Sequence, residues 1–130
     1  MYVELKGVNN FANKGAELML RSILQQLNNN FSNLNFVMEY KSKTYAKMRD
    51  LGIKYQKFYR YRSGFQWGRL IELIPRKLRL NYHLVIDPEI DLLLDASGFT
   101  YSSQFKRKTT MEMAEVCIRR RKLGKKTIFL

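Results

Sequence analysis

Hydrophobic and polar positions alternate in two rhythms along this chain, and each change of rhythm predicts a switch between strand and helix. Val3 and Leu5 alternate with Tyr2, Glu4 and Lys6, which predicts a first strand ending near Gly7. An asparagine-rich loop from Val8 to Lys14 follows, and a helix is expected to open near Asn13 or Gly15. Ala16, Leu20, Ile23, Leu24 and Leu27 recur at helical spacing. Glu17 suits the positive end of that helix, and Asn28-Asn29-Asn30 closes it. Leu34 to Glu39 reads as a second strand, Thr44 to Leu51 as a short helix closed by Gly52, and Ile53 to Tyr59 as a third strand. Phe65 to Leu80 reads as a helix interrupted at Pro75. Asp91 to Asp95 is strongly apolar, the kind of strand buried on both faces of a parallel sheet. Thr109 to Leu123 reads as a helix that buries Met113, Ala114, Cys117 and Ile118 and ends at Gly124. Lys125 to Leu130 begins a further strand.

Strands alternating with helices imply βαβ units and a parallel sheet, so the expected class is α/β, Rossmann-like. Residues 1–130 are long enough for one domain, and 45% hydrophobic residues supply its core. The chain stops inside its last strand, with no helix to cover it. The expectation is therefore the N-terminal portion of a longer protein. No charged start followed by a long apolar run marks a signal peptide, and no stretch approaches the length needed to span a bilayer. Cys117 is the single cysteine and cannot form an internal disulfide, which fits a reducing compartment.

Charge changes this picture. The net charge is +13, and it is unevenly placed. Twelve basic residues between Lys41 and Tyr82 face only Asp50 and Glu72, and a second cluster runs Arg119-Arg120-Arg121-Lys122 with Lys125 and Lys126. Such fields attract phosphates, nucleic acid, acidic glycans or an anionic membrane face without choosing among them. The stretch Trp67 to Leu80 interleaves Leu70, Ile71, Leu73, Ile74 and Leu78 with Arg69, Arg76, Lys77 and Arg79. It suits a membrane-interface element, or equally a helix packed on the sheet with a solvated basic face. Neutralising those four basic residues is expected to abolish vesicle binding if the first reading holds.

Two polar, glycine-bearing segments sit where strands should end, the rim at which open α/β sheets bind ligands. One runs from Gly7 to Glu17, directly after the first strand, and ends in the turn Asn13-Lys14-Gly15-Ala16-Glu17; a helix start there offers free backbone N–H groups, and Asn13 can cap the helix or hydrogen-bond a sugar hydroxyl. It matches neither a dinucleotide fingerprint nor a P-loop, and it also reads as an ordinary cap and turn. The other is Asp95-Ala96-Ser97-Gly98-Phe99-Thr100-Tyr101. Asp95 ends a buried strand, so it has a partner or faces the crevice. Ser97 and Gly98 supply a hydroxyl and an open backbone, and Phe99 and Tyr101 can stack on a sugar ring or pack under the loop. This segment reads equally as an Asx-type turn. His83 is the only histidine, so neither a zinc site nor a serine triad is expected. No helix-turn-helix, zinc-finger or RNP motif is visible, which disfavours nucleic acid.

The two signatures, in this order, resemble the polysaccharide pyruvyl transferase family. The family's N-x-G-[DA]-E turn with an E-L-M-L-like helix start is matched by Asn13 to Leu20, and its D-x-S-G-F-x-Y segment by Asp95 to Tyr101, with Gln104 close behind. A later G-K-K-like turn and apolar strand are matched by Gly124 to Leu130. The resemblance implies a GT-B-like protein of two Rossmann-like halves, of which this chain is the N-terminal, acceptor-contacting one. It implies transfer of the enolpyruvyl group of phosphoenolpyruvate to hydroxyls of a surface or exported glycan, with no cofactor besides that donor substrate. Donor-binding arginine and histidine are expected in the C-terminal half, so this half alone is expected to be inactive. Ala16 stands where many members carry aspartate. The implied catalytic candidates are Glu17 and Asp95. The implied substrate contacts are Asn13, Gly15, Ser97, Gly98, Phe99, Tyr101 and Gln104. The implied setting is the cytoplasm, at the inner membrane face, with a lipid-linked sugar acceptor. The competing reading is a stand-alone basic module for nucleic acid or acidic glycan.

Overall fold

The computed structural model describes residues 1–8, 11, 13–58, 61–62, 65–97 and 107–130, and for 61–62, 65–69 and 107–108 the backbone alone. Its elements are β1 (Tyr2–Lys6), α1 (Lys14–Asn30), β2 (Asn35–Glu39), α2 (Tyr45–Asp50), β3 (Tyr55–Lys57), β4 (Tyr61–Arg62), β5 (Phe65–Gln66), α3 (Arg76–Asn81), β6 (Leu92–Asp95), α4 (Arg107–Lys122) and β7 (Lys126–Phe129). Five strands form one parallel sheet in the order β3-β2-β1-β6-β7. This is the α/β, Rossmann-like arrangement that the alternating pattern predicts. A separate antiparallel pair joins β4 and β5. Among the described residues no helix is long and apolar enough to cross a membrane.

Register assigns the faces. Glu4 lies opposite Val37 and Leu93, and Lys6 opposite Asp95, so these side chains share one face of the sheet. The other face carries Val3, Leu5, Phe36, Met38 and Leu94, packed with Leu20 and Leu24 of α1, Met48 of α2 and Ile53. Each such buried side chain contributes about 1.5–3 kcal/mol. On the first face Leu93 packs with Met113 and Val116 of α4, while Val37 packs with Val85 and Ile90. At one margin residues 83–85 cover β3: Gln56 N–H donates to His83 O at 2.8 Å and Val85 N–H to Gln56 O at 2.9 Å.

Three local expectations are corrected. The span Phe65 to Leu80 is interrupted at Pro75 as expected, but its first part is not α-helix. It divides into β5, a 3₁₀ segment Trp67–Leu73 and α3. Pro75 lacks an N–H and disfavours helical backbone in Ile74, so two separate helical pieces form. The third strand is shorter than Ile53 to Tyr59, because Ile53 N–H closes the preceding turn on Met48 O at 3.0 Å; Tyr59 lies outside the described residues. Helix α4 buries Met113, Val116 and Arg120, leaves Cys117 half-buried, and turns Ala114 and Ile118 to solvent. Arg120 sets that rotation: its Nη2 donates to Lys126 O at 3.0 Å and reaches Ile90 O at 3.5 Å.

Candidate functional site

Strand order reverses between β1 and β6: from β1 the chain proceeds outward to β2 and β3, then returns to β6 and β7 on the other side. In open parallel sheets a ligand sits at such a reversal, outside the carboxyl ends of the central strands. Both glycine-bearing segments adjoin that point. Gly7 has φ of +83°, and a Cβ built on it would lie 2.5 Å from Ser97 N and 2.7 Å from Ser97 Oγ. The first turn therefore touches the second, although ninety residues separate Gly7 from Ser97.

The carboxylate of Asp95 is fully buried. Its Oδ1 accepts the Ser97 N–H at 2.8 Å and the Ser97 hydroxyl, and Lys6 Nζ stands 3.9 Å from its Oδ2. Of the two options for Asp95, the structure places it with partners, in an Asx-type turn that fixes Ser97 at the rim. Asn13 caps α1, its Oδ1 accepting the Gly15 N–H at 2.9 Å. Asn13 and Gly15 are both exposed. Glu17 accepts two hydrogen bonds from Arg21, at 2.8 and 3.1 Å, which hold its carboxyl below the usual range. Gly98, Phe99, Tyr101 and Gln104 lie outside the described residues.

A cleft of about 180 Å³ opens beside this turn, between the ends of the strands and α4. Glu4, Lys6, Glu39, Lys57, Thr109 and Glu112 line it. Lys6 leans across it, donating to the Met113 thioether at 3.0 Å. Deeper in, Lys57 Nζ is shared by two buried carboxylates, at 2.9 Å from Glu4 Oε2 and 2.5 Å from Asp87 Oδ1. Asp87 is bound in turn by Arg119 at 2.8 Å. Beside them Arg120 is buried, and its Nε and Nη1 find no hydrogen-bond partner among the described residues. The cleft lining mixes carboxylates, lysines and a hydroxyl, with Glu4 and Lys57 paired to each other, and suits a ligand that both donates and accepts hydrogen bonds.

Burial alone would raise the carboxyl pKa of Asp87, Glu89 and Asp91, yet all three are lowered. Lys57 outweighs burial for Asp87, the Arg79 hydrogen bond for Glu89, and the Tyr2 N–H with Lys125 for Asp91. Their stabilisation is complete above the unfolded carboxylate range of about 4 and is lost as pH falls through the folded values. Lys57 is shifted the other way: burial lowers it, but Glu4 and Asp87 prevail and raise it. Its stabilisation is complete below about 10.4 and is lost as pH rises through the folded value. Thermal melts are expected to show a stability plateau from roughly pH 5 to pH 10 that falls away on both sides. Asp87→Asn should flatten part of the acid limb; a wild-type profile flat through that limb would contradict the network.

Sequence reasoning missed Glu4, Lys57, Asp87 and the cleft wall. The available signal was Glu4, a carboxylate between apolar Val3 and Leu5 in a strand with apolar neighbours on both sides. Among the described residues no group of three or more His, Cys, Asp or Glu side chains could hold a metal ion. Comparison of the chain with protein-family models, with curated proteins and with solved structures returned no match.

Proposed function

We propose that this chain is the acceptor-binding half of a transferase similar to the polysaccharide pyruvyl transferases, holding a sugar at the carboxyl edge of its sheet. One observation carries the reading: the loops after β1 and β6, which lead into or contain the two resembling segments, touch at the strand-order reversal, Gly7 against Ser97. Segments that serve one ligand must meet in space; this contact sets the start of the first loop against the second, and Lys6, next to Gly7, lines a cleft of mixed polarity.

The reaction would protonate the terminal enol carbon of phosphoenolpyruvate while a sugar oxygen attacks its central carbon. A second hydroxyl displaces phosphate and closes the ketal. This needs an acid for carbon and a base for each hydroxyl. Glu39 and Glu112 line the cleft and, with Glu17 at the start of α1, would be the carboxylates to accept hydroxyl protons; Glu39 is paired with Lys41 and Glu17 with Arg21, so each would exchange that partner for the sugar. Asp95 acts through Ser97 as a positioning residue. Donor binding would fall to a second half. The proposed setting is cytoplasmic.

Calorimetric titration with neutral pyranosides tests this. At least one sugar is expected to bind with weak dependence on salt, and Ser97→Ala should weaken it severalfold through a lost hydrogen bond of about 0.5–1.5 kcal/mol. Absence of sugar binding, with oligonucleotide binding that falls steeply as salt rises, would instead favour the basic-module reading.

A further inference from the structure

The segment from Leu70 to Tyr82 displays apolar side chains that a folded protein ordinarily covers. Leu73 is 81% exposed, Tyr82 73%, Leu78 52% and Leu70 47%. Scattered exposed leucines are ordinary, but with Ile74 five large apolar groups are exposed within thirteen residues of one segment, which is not. They stand on a fixed support. Arg79 is buried, pairs with Glu89 through two hydrogen bonds of 2.6 and 2.9 Å, and donates from Nε to Ile74 O at 3.0 Å. It clamps the turn between the 3₁₀ segment and α3, so the leucines are held outward. Arg79 is therefore an internal clamp and cannot belong to a basic outer face, contrary to the sequence expectation.

Two cations do lie outside. Arg76 is largely exposed, although its Nε is 3.3 Å from Glu89, and Lys77 is exposed. Glu72 is the single acid between Leu70 and Tyr82. Leu78 and Tyr82 lie one helical turn apart, so they share a face. The whole chain adds a field of +13.

We infer that this segment is a docking surface for an anionic lipid bilayer. Leu70, Leu73, Leu78 and the Tyr82 ring enter the boundary between headgroups and acyl chains, and Arg76 and Lys77 sit at the level of the lipid phosphates. Tyrosine suits that depth, with an apolar ring and a polar tip. Charge complementarity chooses this occupant: a second copy of the chain would bring another +13 against the first. The surface is independent of the crevice, so its test does not depend on sugar binding.

Co-sedimentation with phosphatidylcholine vesicles, with and without phosphatidylserine, reads the inference directly. The chain is expected to sediment with the anionic vesicles only. Leu73→Asp should reduce partitioning about tenfold or more, the effect of one buried leucine. Arg76→Gln with Lys77→Gln should reduce it about thirtyfold, from roughly 1 kcal/mol per cation near the surface. All three positions are exposed, and unchanged circular dichroism would verify folding. Absence of binding to anionic vesicles overturns the inference. So does loss with the cation variant but not with Leu73→Asp, which is charge attraction alone. Self-association in light scattering that Leu73→Asp abolishes overturns it too, because the patch is then a contact between copies.

Discussion

Replacing Lys57 by methionine is expected to destabilise the fold by about 3–5 kcal/mol, the usual effect of removing one partner from a buried ion cluster. Lys57 is buried, and its ammonium is the group shared by Glu4 and Asp87. Methionine fills a similar volume, so packing changes little. The cost comes from leaving two carboxylates enclosed with less compensation. Asp87 keeps Arg119, but no ion pair besides that with Lys57 is described for Glu4. Folded domains have only about 5–15 kcal/mol to lose, so the variant is expected to populate the unfolded state at lower denaturant than the wild type. Two companions keep the result readable. Lys57→Met with Glu4→Leu removes opposite charges together and should recover a large part of the loss. Lys57→Arg keeps the charge and should cost less than methionine. Urea unfolding followed by far-ultraviolet circular dichroism measures all three, and a loss below about 1 kcal/mol for Lys57→Met would show that the cluster is not coupled as described.

Gly7→Ala is the second large effect, expected near 2–5 kcal/mol. Left-handed backbone at φ +83° costs a side chain about 1–2 kcal/mol. The new methyl also lands 2.5 Å from Ser97 N, and overpacking adds about 1–3 kcal/mol. The obstructing atom is backbone, held by the Asp95 carboxylate, so it cannot swing aside. Gly52 supplies the control. It also has positive φ, but nothing lies within 4 Å of its added Cβ. Gly52→Ala should therefore show the backbone cost alone. Equal midpoint shifts for the two variants would mean that the loops after β1 and β6 do not press together as described.

Much of this architecture was legible in the chain because period-two and helical patterns are local properties. β1, α1, β2 and β6 follow directly from residue alternation, and the burial of β6 on both faces from its run of leucines. The Asn13 cap was legible from its place before an apolar helical pattern. What escaped was set by tertiary partners. The rotation of α4 depends on Arg120 reaching two carbonyls, and no helical stripe of apolar residues contains an arginine. The burial of Lys57 depends on Glu4 and Asp87, 53 and 30 residues away in the chain, so in sequence it counted only as one of the basic residues between Lys41 and Tyr82. The clamp by Arg79 depends on Glu89 in the same way. The Asx-type turn of Asp95 and Ser97 was legible in sequence, while the cleft wall became visible only once β1, β2, β3 and α4 stood side by side.

Residue-resolved amide NMR during titration with a neutral pyranoside tests the central claim most directly. The claim is that the strand-order reversal between β1 and β6 is the ligand site. Shifts are predicted at Lys6, Gly7, Asn13, Ser97, Thr109 and Glu112, with Leu70 to Tyr82 unaffected. Shifts confined to the basic surfaces, or no shift at saturating sugar, would contradict it.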